Sequence, residues 1–273
     1  MSFADVNGTS LFYEVNGDGY PLVLLHGFGA KKEVWMAQVG ALSKNFKVIT
    51  YDCRSSGKSE RPKDPYTMDT LVEDLKGLLD FLKIEKANIM GQSMGGWVTQ
   101  NFALKYPERA NKLILVGTNH KGAGIHIMEG SMSNFFELRK ENKEQAFWDY
   151  CKLTHYRAFI KEMKADPKKK FHGLWSAEDL IKETTEDQMT PHDYKLLADA
   201  IDAHDTTDKL SQIPHPTLLI AASNDKLSPK LVMDELNEKL PNSRIEVFDK
   251  AGHHVFLEYA PQVNKLIIDF LNE

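Results

Sequence analysis

Two periodicities divide the chain. The opening stretch FADVNGTSLFYEVNG alternates apolar and polar residues on both sides of Asn7-Gly8. Asn-Gly between alternating runs is the strongest short hairpin signal, because both central residues of a tight hairpin turn need positive φ. Two antiparallel edge strands are predicted there. Short unbroken apolar runs rich in Val, Ile and Leu follow at Pro21 to His26, Lys47 to Asp52, Ala87 to Met90, Lys112 to Gly117, Thr217 to Ala222 and Arg244 to Phe248. A strand that is apolar at every position suits burial on both faces, as in a parallel sheet flanked by helices. Helix-period segments lie between the runs, at Thr67 to Leu82, Trp97 to Tyr106, Pro229 to Leu240 and Pro261 to Leu271. Thr67 and Ser228 are placed as helix caps, with Pro229 and Pro261 in first turns that tolerate the missing N–H. This alternation predicts an α/β fold with a doubly wound, mostly parallel eight-stranded sheet and a site at the carboxyl ends of its strands.

One interval breaks the rhythm. From about Asn119 to Ser211 there is no convincing strand, only charged, helix-prone sequence carrying Phe135, Phe136, Phe147, Trp148, Tyr150, Tyr156, Phe159, Phe171, Trp175 and Tyr194. The expectation is a core domain of residues 1–118 and 212–273 with a helical cap inserted at 119–211, most of the aromatics packing the cap and the rest lining a pocket. The run Lys168 to Lys170 reads as a solvated loop of that cap.

Composition narrows the classes. Thirty-four Lys plus Arg against thirty-nine Asp plus Glu give a formal charge of −5 over 273 residues, without the basic bias of a nucleic-acid binder. The N-terminus has neither a basic region nor an apolar stretch, and no segment reaches the roughly 18 apolar residues of a membrane span. A soluble, cytoplasmic protein with no membrane span is expected, monomeric or homodimeric. Cys53 and Cys151 can build neither a disulfide framework nor a zinc cage, so reduced thiols are expected.

The chemistry centres on Gly91-Gln92-Ser93-Met94-Gly95, which reads G-x-S-x-G where a strand-like run gives way to a helix-like one. A serine at such a turn stands proud of the backbone, with helix amides facing any negative charge that develops beside it. Its hydroxyl needs a base, and the base needs an orienting acid. His253 follows the last predicted strand; it is favoured over His254 because Gly252 permits a sharp turn before it, while His254 opens an apolar run. Asp225 lies in the loop after the Thr217 run. Its other reading is a helix-capping aspartate, and Asp249 is read as capping its own loop. Backbone amides of Phe28, in the glycine-flanked loop after the first parallel strand, and of Met94 are the candidate oxyanion donors. His26 is read as a hydrogen-bonder that shapes the Phe28 turn. No metal or organic cofactor is expected.

His26-Gly27-Phe28-Gly29, the Asp52 to Ser59 segment, Gly91 to Gly96, Asn224-Asp225 and Gly252-His253 through Glu258 together resemble the α/β-hydrolase superfamily, in its order and approximate spacing over essentially the whole chain. Ser55 stands where the family's D-x-R-G-x-G-x-S loop has glycine. Among subfamilies the chain is similar to small serine carboxylesterases and the 3-oxoadipate enol-lactonase-like group. The resemblance implies a catalytic triad of Ser93, Asp225 and His253, and acyl transfer on a small-molecule ester or lactone. A serine at position 93 argues against the dehalogenase and epoxide hydrolase branches, which use aspartate. C–C bond hydrolysis of meta-cleavage products, and a ligand sensor that retains the fold, are the alternatives.

Overall fold

The sheet is built around a run that is buried at every position, Ala87–Gln92. In the computed structural model, which describes residues 2–122, 136–186 and 189–273, this run is β5. The other strands are β1 (Ser2–Val6), β2 (Thr9–Asn16), β3 (Tyr20–Leu25), β4 (Phe46–Tyr51), β6 (Ala110–Val116), β7 (Thr217–Ala222) and β8 (Ser243–Phe248), giving eight strands in the order β1-β2-β4-β3-β5-β6-β7-β8. Asn7 and Gly8 both take positive φ and close the β1–β2 hairpin. β2 runs antiparallel to β4, and every later pairing is parallel.

Successive residues of the parallel strands go to opposite cores, as the strand period of two requires. Val23, Leu25, Ile89, Leu113, Leu115 and Leu219 face one cluster, which receives Leu71, Leu75 and Leu78 of α2 (Met68–Phe81) and Val98 and Phe102 of α3 (Met94–Lys105). Leu22, Leu24, Met90, Ile114, Val116 and Leu218 face the other, which receives Leu42 of α1 (Met36–Leu42) and part of the C-terminal helix. Helices on both faces leave the strand ends as the accessible edge. The chain order reverses on either side of β3, between β4 and β5, so a crevice opens at the carboxyl ends of β3 and β5.

Between β6 and β7 lie α4 (Lys143–Thr154), α5 (Arg157–Ala165), α6 (Ala177–Thr185) and α7 (Pro191–Asp202). Phe159, Phe171 and Trp175 pack on one another with centroids 4.7 to 5.7 Å apart, while Tyr194 meets Phe28 edge-on at 4.6 Å. Lys169 and Lys170 are exposed and paired with Glu162 and Asp179. Phe135, and the parts of the expected cap at 123–135 and 187–188, lie outside the described residues.

After β7 come α8 (Lys230–Lys239), the one-turn α9 (Val255–Glu258) and α10 (Ala260–Asn272). The expected cap at Thr67 holds: its hydroxyl accepts the Thr70 amide at 3.3 Å. Ser228 differs, because Pro229 is the residue that precedes α8 and no side chain caps it. The helix after β5 starts at Met94 rather than Trp97, since Gly95 and Gly96 continue the turn despite lacking apolar side chains. Cys53 and Cys151 are free and buried, and burial raises both thiols far above their usual range. No described helix is long and apolar enough to cross a membrane.

Candidate active site

Ser93 follows β5 directly, with φ 52° and ψ −118°. A non-glycine residue held there is strained, and the fold fixes it from several sides. The Ser93 amide donates to the Val116 carbonyl at 3.0 Å, and the Thr118 hydroxyl and the Gly96 amide donate to its carbonyl at 2.7 and 2.8 Å. The flanking glycines are required by contact. A side chain at Gly91 would run into the Gly95 carbonyl, and one at Gly95 into the Leu25 carbonyl. Met94 opens α3, so its amide belongs to the first turn, where N–H groups have no partner within the helix.

The loop that carries Phe28 is shaped by His26. The Cys53 amide donates to its Nε2 at 3.0 Å, so that nitrogen is the acceptor, and Nδ1–H donates to the Gly27 carbonyl at 2.8 Å. Complete burial lowers the imidazole to about 4, keeping this tautomer neutral. The Ala30 amide donates to the same carbonyl at 3.2 Å. In a trans peptide the N–H opposes the C=O, so the Phe28 amide is turned away from His26. Asp52 supports the loop from below, accepting the Lys32 and Lys58 amides at 2.8 and 2.9 Å; burial raises its carboxyl to about 6.

Of the two adjacent histidines, His253 is the one that meets a carboxylate. Its Nδ1 lies 2.8 Å from Asp225 Oδ2, in a pair whose side chains are 3% and 1% exposed. The other oxygen, Oδ1, accepts the Leu227 and Ser228 amides at 2.8 and 2.9 Å. Asp225 does not cap the following helix, which no side chain caps; one of its oxygens orders the loop before it and the other meets an imidazole. His254 turns instead into the insertion, its ring 4.9 Å from that of His155 and 5.4 Å from Phe256. Burial, with His155 and His253 nearby, drives it well below the usual histidine range. Asp249 accepts from the Ser223 hydroxyl at 3.0 Å, so its carboxylate meets the end of the neighbouring strand β7 and not His253.

Ser93, His253, Phe28 and Met94 line one cavity of about 360 Å³, with Asp225 behind His253. Phe147, Tyr150 and Tyr194 from the insertion also line it, so the aromatics divide between packing and pocket. Three charged wall residues are not legible as such in the sequence: Arg139, Lys143 and Lys226. No Asp or Glu is among the described lining residues. Nothing in local patterning separates these cations from other surface charge. Glu258 was also missed as an individual residue, although an acid inside the apolar run after His254 is a legible anomaly. Among the described residues, no three His, Cys, Asp or Glu side chains cluster in a way that could hold a metal ion.

Comparisons with known proteins agree with this architecture. The chain is 30% identical to the putative carbamate hydrolase RutD of Azorhizobium caulinodans, covering all of this chain and 99% of that one. It is 29% identical to a 2-hydroxymuconate semialdehyde hydrolase of Pseudomonas sp. strain CF600, over 94% of this chain and 89% of that one. The crystal structure of the enol-lactonase from Burkholderia xenovorans LB400 superposes with a TM-score of 0.85 at 28% identity, each chain fully covered. Residues 20–260 match the family described by the alpha/beta hydrolase fold, and the chain belongs to that hydrolase family.

Proposed function

We propose that this protein is a serine hydrolase of carboxylic esters or lactones, with Ser93, His253 and Asp225 as its triad and residues 119–211 as a cap over the site. The observation that carries this reading is the 2.8 Å contact between His253 Nδ1 and Asp225 Oδ2, made beside the cavity that Ser93 also lines. Asp225 accepts a hydrogen bond from Nδ1–H and holds that tautomer, leaving Nε2 bare to take the proton of Ser93 as its oxygen attacks the carbonyl carbon. The oxyanion that forms is met by the Phe28 and Met94 amides, set before the reaction and so requiring no reorganisation. The imidazolium then protonates the leaving alcohol. Water, deprotonated by the same imidazole, attacks the acyl-enzyme and frees the acid and Ser93.

The cavity walls favour a substrate that carries a carboxylate. Arg139 is anchored by the Met189 carbonyl at 3.2 Å and stacks over Phe136, and Lys226 donates to the Lys152 carbonyl at 2.7 Å. With Lys143 they give the described wall three cations and no carboxylate, in a chain whose formal charge is −5. Lys143 and Lys226 bring positive charge to the mouth, which attracts anions. C–C bond hydrolysis of an acidic diketone is the second reading, supported by the same cations and by the likeness to a semialdehyde hydrolase.

Nitrophenyl esters of matched length, ending in methyl or in carboxylate, test both levels on wild type and Ser93→Ala. Turnover by wild type alone, with higher kcat/KM for the carboxylate series, is expected. Equal turnover by the two proteins would remove the triad. Negligible ester turnover beside rapid cleavage of a meta-cleavage product would select the second reading.

A further inference from the structure

The loops that carry the acid and the base are both fastened to one turn of the insertion, residues 152–156, where α4 ends and the chain leads into α5. Lys226, next to Asp225, donates its ammonium to the Lys152 carbonyl at 2.7 Å. The amide of His254, next to His253, donates to the Thr154 carbonyl at 2.9 Å. Gly252 packs so closely on Thr154 and His155 that a side chain there would lie within 2.8 Å of their backbone. The two carbonyls are at the C-terminus of α4, the negative end of its dipole, which suits an ammonium and a neighbouring imidazolium.

Glu258 closes the arrangement. Its Oε2 accepts the Gly252 amide at 2.8 Å and its Oε1 accepts the Tyr156 amide at 2.6 Å. One carboxylate, 4% exposed, thus ties the residue before His253 to Tyr156, the last residue of that turn. Burying a carboxylate costs free energy unless it is well bonded. The location gives the cost a purpose: Gly252 is the freest backbone in the loop, and its position sets where the His253 ring lies.

We propose that Glu258 is a positioning residue for His253, holding the base in register only while the 152–156 turn of the insertion is docked. This rests on His253 being the base. The insertion then does more than cover the pocket, because displacing it loosens both members of the acid–base pair and docking restores them. An amide in place of the carboxylate keeps one acceptor but sets an NH₂ against the second backbone N–H. Glu258→Gln therefore lets His253 drift without altering the walls that bind substrate.

The test compares kcat and KM for ester turnover, together with the rate at which a nitrophenyl phosphonate labels Ser93. E258Q is expected to lose kcat and labelling rate by about tenfold to a hundredfold, the effect of an ångström-scale misplacement of a reacting group, with KM within about twofold. A second variant guards against misfolding of the first. Tyr156 has φ −68° and His155 before it is extended, with φ −122° and ψ 153°, so Tyr156→Pro fits the backbone and deletes only the N–H that Tyr156→Ala keeps. Y156P should fall below Y156A in kcat by a similar factor. Wild-type kcat in E258Q, or equal kcat in Y156P and Y156A, overturns the proposal while leaving the triad standing. Wild-type labelling rates in His253→Ala overturn both.

Discussion

The Thr118 hydroxyl donates to the Ser93 carbonyl at 2.7 Å, reaching across from the end of β6 to the strained turn after β5. Thr118 is fully buried and Gly96 packs against its side chain. The elbow is thus clamped by its neighbour strand through a side chain as well as through the Ser93 amide. Thr118→Val keeps the shape and removes the donor. A loss of about 1 kcal/mol in stability is expected, with kcat reduced several-fold. Denaturant melts and steady-state kinetics on the same preparation would check this, and an unchanged kcat would show that the amide clamp suffices.

Strain at Ser93 predicts a trade of stability against activity. A side chain at φ 52° is disfavoured by its own Cβ, whereas glycine is at ease there. Ser93→Ala keeps the strain and should lose activity by at least about a thousandfold. Ser93→Gly should be equally inactive yet more stable than Ser93→Ala by about 1–3 kcal/mol. Equal melting of the two variants would mean that the turn stores no strain.

Gly117 is a probe of the Asp225–His253 contact from behind. It has φ +47°, and a Cβ there would sit 3.1 Å from Asp225 Oδ2 and 3.3 Å from His253 Nδ1. Gly117→Ala must push the two apart or shift the loop. The expected result is a kcat loss of about tenfold or more with little change in KM. The low-field proton resonance of a buried His–Asp hydrogen bond should move or broaden in the same variant.

The cationic wall should be read by charge and by salt. Arg139→Gln is expected to raise KM for carboxylate-ended esters and to leave methyl-ended ones nearly unchanged. Raising the ionic strength from about 0.01 to 0.15 M shortens the screening length from about 30 to 8 Å and should narrow the gap between the two series in wild type. Parallel losses on both series would assign Arg139 a packing role.

Buried histidines set the acid limit of stability. Burial lowers His26 and His204 to about 4 and His155 to about 3, and drives His254 well below its usual value. Each stays neutral in the folded chain while the unfolded chain takes up a proton near about pH 6.5. The unfolded state therefore binds the extra protons between about 6.5 and 4, and stability falls as pH is lowered through that window. Glu258, raised to about 7, and Asp52, raised to about 6, act in the opposite sense by keeping their protons on folding. His120 is also lowered by burial, and Asp74 and Glu183 are also raised, so five imidazoles stand against four carboxyls and outweigh them. The melting temperature should drop between about pH 7 and 5, and His155→Phe should flatten the slope; a rise on acidification would reverse the assignment.

Much of the fold is legible in the sequence. Asn7-Gly8 wrote the hairpin, the all-apolar runs wrote the parallel strands, and Gly91 to Gly95 wrote the elbow, because each of these depends on local backbone permission or on a period of two. The order Ser93, Asp225, His253 followed from which residues stand just past strand ends. Even the choice of His253 over His254 rested on the local freedom of Gly252, and the structure gives that residue the carboxylate contact.

What the chain could not disclose locally was which distant groups converge. Arg139, Lys143 and Lys226 resemble any surface cations until the insertion brings two of them to the same cavity wall as the loop after β7. Glu258 looks like an oddity in an apolar run until Gly252 and Tyr156, 96 residues apart in the numbering, present their amides to it together. Local sequence determined the backbone conformations, since these are decided by neighbours along the chain. Only tertiary structure decided the charge of the pocket and the anchoring of the His253 loop, since both are sums over residues that meet by folding alone.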